Sequence, residues 1–68
     1  MEQHHMVHMA NQIALNLSAY PREEAIVRVA THLRRYWEPR MRKQLHEYVA
    51  KGGADLHEFV LEAEKQLK

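Results

Sequence analysis

Hydrophobic positions along the chain fall into four stripes at helical spacing, and none alternates with period two for long enough to argue a strand. The first stripe is Met6, Met9, Ala10, Ile13 and Leu17, and the second is Ile26, Val29, Ala30, Leu33 and Trp37. The third comprises Met41, Leu45, Tyr48 and Val49. The fourth, Leu56, Phe59, Val60, Ala63 and Leu67, repeats the spacing of the second. The pattern predicts an all-α chain, a small bundle of three to four short helices at about 3–18, 21–37, 39–51 and 56–67.

The breaks between stripes have physical causes. Pro21 suits a first helical turn, where its missing N–H would have had no partner, and Glu23 and Glu24 favour the positive dipole end. Pro39 repeats this arrangement and biases Glu38 away from helical geometry, so the second helix is expected to end near Trp37. Gly52 can take the left-handed conformation that closes a helix after Lys51. Asp55, with Glu58 three residues later, reads as a capping box opening the fourth helix. The loops are short, so successive helices should pack as neighbours. The 37–39 junction is too short for a full reversal and reads as a corner or a kink.

Length sharpens this picture. The 68 residues are expected to form a single helical domain, 1–68. A chain this short buries only roughly 60% of the surface its unfolded form exposes. There is no cysteine to supply a disulfide or thiolate staple, and small domains of that kind lean on oligomers or partners. No signal sequence and no apolar run near the ~20 residues of a membrane span is visible, so the expected location is cytoplasmic, with no membrane partner.

The net charge of +1 hides an uneven distribution. From Pro21 to Lys43, seven Lys/Arg face three Glu; from Gln44 to Lys68, three Lys face five Asp/Glu. A basic middle and an acidic C-terminal part can steer a partner.

Candidate chemistry is sparse. His4 and His8 stand i, i+4 and could pinch a metal ion, but zinc wants three or four protein ligands and no acidic or thiolate companion is near. His32, His46 and His57 are dispersed over three helices. Ser18 and Thr31 do not sit on a Gly-flanked nucleophile turn. The carboxylate pairs Glu23–Glu24 and Glu58–Glu62 fit exposed helix positions, and Gly52–Gly53 fits a helix stop rather than a phosphate loop. These patterns argue against an active site, a cofactor site or a metal site within the chain.

The densest signal is "HLRRYWEPRMRKQL", residues 32–45, with aromatic and cationic side chains interleaved. Helical geometry separates them. Trp37 continues the Leu33 line and Tyr36 lies seven residues after Val29, so both are expected in the core or at its edge. Arg28 and Arg35 share an outer face, with Glu24 four residues before Arg28, and Arg40 and Lys43 share another. Rings needed to close a small core are not free to stack on bases, which argues against a nucleic-acid partner. On the first helix, Val7, Asn11, Ala14 and Ser18 form a second line that another chain could approach, and the amides of Asn11 and Gln12 could pair with its exposed backbone.

"MANQIA" at 9–14, the Pro-Glu-rich helix start, "HLRRYWEPRMRKQL", and the Gly-Gly break before a last helix together resemble the delta subunit of cytoplasmic NAD-dependent formate dehydrogenases. Tyr36 and Glu38 stand where that family more often has Phe and Asp; Asp before Pro is the better N-cap. The resemblance implies a non-catalytic accessory subunit that aids assembly, stability or retention of the metal-cofactor-loaded catalytic subunit. The implied complex oxidises formate to carbon dioxide with NAD. It carries a molybdenum or tungsten pterin centre, iron–sulfur clusters and FMN, none of them in this chain. The implied partner is the large catalytic subunit, with the other subunits as further candidates and a homodimer as the option for the isolated chain. The residues expected to bind the partner are Asn11, Gln12, Arg34, Arg35, Trp37, Arg40, Met41 and Arg42. The rival reading is a small helical module that binds nucleic acid or regulates an unrelated partner.

Overall fold

Four helices account for the regular structure of the computed structural model, which describes residues 2–67. They are α1 (Gln3–Leu17), α2 (Arg22–Tyr36), α3 (Pro39–Ala50) and α4 (Glu58–Gln66). Every predicted helix is present, with each end within two residues of expectation.

Helix starts and stops follow from local chemistry. Glu2 is the N-cap of α1: its carboxylate accepts from the His4 N–H at 2.8 Å and the His5 N–H at 3.1 Å. Pro21 lies one residue outside α2 rather than in its first turn, and its carbonyl accepts from the Ala25 N–H at 2.8 Å. Glu23 and Glu24 occupy the first turn of α2 and Arg34 and Arg35 its last, so both ends complement the helix dipole. Pro39 is the first residue of α3.

The end of α3 is a Schellman closure. The Gly53 N–H reaches the Tyr48 carbonyl at 3.1 Å and the Gly52 N–H reaches Val49 at 3.0 Å. Both glycines have positive φ, +121° at Gly52 and +61° at Gly53. Beyond them the expected capping box fails. Asp55 adopts left-handed backbone (φ 66°) rather than the extended backbone of an N-cap, and it lies two residues before the residue that does cap. His57 takes the role instead, its Nδ1 accepting from the Phe59 N–H at 3.0 Å, and α4 starts at Glu58.

The core forms around α2, which packs chiefly on α4 and then on α1; α3 meets α4 only thinly. Met6, Val29, Leu33, Leu45 and Val60 are its largest fully buried side chains. Each contributes about 1.5–3 kcal/mol relative to an exposed position. Ala10, Ala14, Ala25, Ala30 and Ala63 are buried as well, and their small side chains let the helices approach closely. Ala14 corrects the reading of α1. The Val7–Asn11–Ala14 line is covered by this chain itself, because Val7 packs on the core and Asn11 is bonded to the 53–57 loop. Leu15 remains 54% exposed.

Candidate docking site at the helical corner

Between α2 and α3 two successive residues are extended, Trp37 (φ −90°, ψ 136°) and Glu38 (φ −66°, ψ 153°), and they turn the chain. The indole of Trp37 is 4% exposed and belongs to the core. Tyr36 faces the other way. One residue is about 100° of helical turn, so with Trp37 inward Tyr36 is 70% exposed, against the expectation of a core-edge ring. It packs on His32, with ring centroids 4.8 Å apart.

Arg42 locks the corner. Its guanidinium Nη1 donates to the Arg34 carbonyl at 3.1 Å and to the Trp37 carbonyl. These carbonyls stand at the end of α2, where no following turn supplies a donor. A charged donor there also opposes the negative dipole end. Arg42 is therefore occupied within the chain. Met41 is half-buried against the core.

The remaining cations stay free. Arg34, Arg35 and Arg40 are exposed and have no acceptor partner among the described residues, and the same is true of Lys43. They do not share one face. Arg34 and Lys43 line a groove of about 490 Å³ between the corner and α4. Arg35 lines another of about 360 Å³, beside His32 and Tyr36 and with Leu17 of α1 in its wall. Arg28, on that second side, is paired with Glu24 at 2.9 Å, as the i, i+4 spacing implies, and its guanidinium lies 3.9 Å from the centre of the Tyr20 ring.

The two amides singled out on α1 differ. Gln12 is exposed. Asn11 has both ends of its amide engaged: Nδ2 donates to the Asp55 carbonyl at 2.8 Å and Oδ1 accepts from the His57 N–H at 2.8 Å. It ties the loop before α4 to α1.

Other candidate chemistry does not assemble. No group of three or more His, Cys, Asp or Glu among the described residues could hold a metal ion. The hydroxyls of Ser18 and Thr31 donate to backbone carbonyls of their own helices, Leu15 at 2.8 Å and Val27 at 2.9 Å. Glu58 faces Arg22 at 3.6 Å and Glu62 faces Lys65 at 3.1 Å, both near the surface. Among the described residues no helix is long and apolar enough to cross a membrane. Hydrogen bonds from the His4 N–H and then the His5 N–H lower the pKa of Glu2 from its ordinary value.

One pairing escaped the sequence reading. Glu64 is 2% exposed, and its carboxylate bonds to Nδ1 of His46, whose ring is half-exposed. A buried carboxylate needs such a partner. Its position four residues after Val60, on the apolar stripe of α4, was the available signal.

The family model described as NADH-dependant formate dehydrogenase delta subunit FdsD matches residues 5–63. That span holds the corner, the Asn11 clamp and every residue lining the two grooves except Glu64 and Leu67. No curated protein and no solved structure matches the chain.

Proposed function

Because the chain belongs to the NADH-dependent formate dehydrogenase delta subunit family, we propose that it is a non-catalytic accessory subunit that docks on the large catalytic subunit. The observation that carries this reading is the corner. A bend held by a buried Trp37 and by Arg42 presents Arg34, Arg35 and Arg40 without acceptors among the described residues. Guanidinium groups on a rigid frame suit bidentate pairing with carboxylates or exposed carbonyls of another protein. Trp37, Met41 and Arg42 set the frame, and Gln12 adds an exposed amide on α1.

The family implies a complex with a molybdenum or tungsten pterin centre, iron–sulfur clusters, FMN and NAD, and the proposal assigns this chain no ligand to any of them. Iron–sulfur clusters are held by cysteine thiolates, and the sequence contains no cysteine. Its contribution is thermodynamic. A subunit that binds the cofactor-loaded form and not the empty or unfolded form favours the loaded one by mass action.

The test compares complexes purified with and without this chain, and with an Arg35→Glu/Arg40→Glu variant. Molybdenum or tungsten per catalytic subunit is expected to fall when the chain is absent or charge-reversed. Equal metal content in all three would overturn the accessory role.

A further inference from the structure

We infer that the seam between α3 and α4 is a receptor for a short helical segment of the docking partner, acidic at the Pro39 end and apolar at the Ala50 end. The inference rests on the docking reading and adds which surface takes which chemistry. Because α4 packs on α2, its contact with α3 is thin, and the seam stays open as two adjoining depressions of about 490 and 380 Å³. His46 and Glu64 line both, so the depressions adjoin end to end along the seam as a trough and meet at the His46–Glu64 pair.

Charge is distributed unevenly along it. At one end Arg34, Arg42 and Lys43 surround Pro39 and Leu67. Glu64 is the carboxylate lining that end, and it is buried and already bonded to His46. Arg42 is engaged with backbone carbonyls, whereas Arg34 and Lys43 have no acceptor among the described residues. The free charge there is cationic, and a carboxylate is its complement. At the other end the walls are Val49, Ala50 and Leu61, and the charges present, Glu62 and Lys65, neutralise each other at 3.1 Å. That end offers apolar contact.

A small anion would use only the first half of the trough. A peptide with carboxylates followed by apolar side chains uses both. The trough runs beside the 12 residues of α3, about 18 Å at helical rise, which matches roughly three turns of a partner helix with anchors at i, i+3 or i+4, and i+7.

The test is zero-length carbodiimide cross-linking of the intact complex, which joins a lysine ammonium to a carboxylate in direct contact. Lys43 is expected to be joined to an Asp or Glu of another subunit, with exposed Lys51 as the control. In the same complex Lys43→Glu and Ala50→Glu, both exposed positions, are expected to weaken retention of the chain by about tenfold or more. If the chain is retained while Lys43 stays unlinked and both variants bind normally, the trough assignment is wrong and docking elsewhere stands. If the chain is not retained at all, the docking reading fails and the inference with it. A cross-linked product of twice the 8.1 kDa chain mass would overturn the assignment in favour of a second copy.

Discussion

Arg42 shows how one side chain can be placed correctly by sequence while its contacts within the chain go unread. Its position beside the bend is evident from Pro39, but its guanidinium reaches back eight residues to the Arg34 carbonyl. Which of several cations turns inward depends on the backbone of Trp37 and Glu38, and residue types alone do not fix that. Arg42→Ala is expected to cost about 2 kcal/mol, the scale of a charged hydrogen bond, and urea unfolding would measure it. Glu64 escaped notice for the same reason, since its partner lies 18 positions away on another helix. His46→Ala strands a buried carboxylate and is expected to cost about 2 kcal/mol, whereas the double change with Glu64→Leu recovers most of the loss. A neutral His46→Ala in the same unfolding assay would show the pair to be idle. At the N-terminus the linkage has a definite sign. Glu2 titrates lower in the folded chain than in the unfolded one, so its stabilisation of α1 is full above the unfolded value and disappears as pH falls through the folded one. Exchange of the His4 and His5 amides, followed by NMR on acidification, should show this fraying before the core amides respond.

At the scale of elements, the stripes and the two prolines were enough to place all four helices, because period and punctuation are local. The 51–57 segment was not legible to the same degree. Its geometry depends on Asn11 reaching across to Asp55 and His57, 44 and 46 positions later. That clamp supports a left-handed Asp55, a conformation with a cost for any residue other than glycine. Asn11→Ala removes two hydrogen bonds and is expected to destabilise by about 1–3 kcal/mol, with hydrogen exchange rising first in the loop and the start of α4. Gly53→Ala should also destabilise. A Cβ there would stand 2.7 Å from a Leu61 methyl, on backbone at φ +61°. The expected cost is about 1–3 kcal/mol, read from the thermal midpoint.

Across the whole molecule, the sequence separated rings from cations but gave them too simple a partition. Trp37 is inside as expected; Tyr36 is outside, and Arg34 and Lys43 line one groove while Arg35 lines another. A bundle of this size has little margin to hold exposed Leu15, Val27 and Tyr36 for its own stability. Docking on a partner is measured most directly by the affinity of the purified chain for a formate dehydrogenase complex prepared without it. Arg35→Glu/Arg40→Glu should weaken binding by at least about tenfold and lower its salt dependence, with far-UV circular dichroism unchanged. Undiminished affinity in a normally folded double variant would contradict docking through the corner.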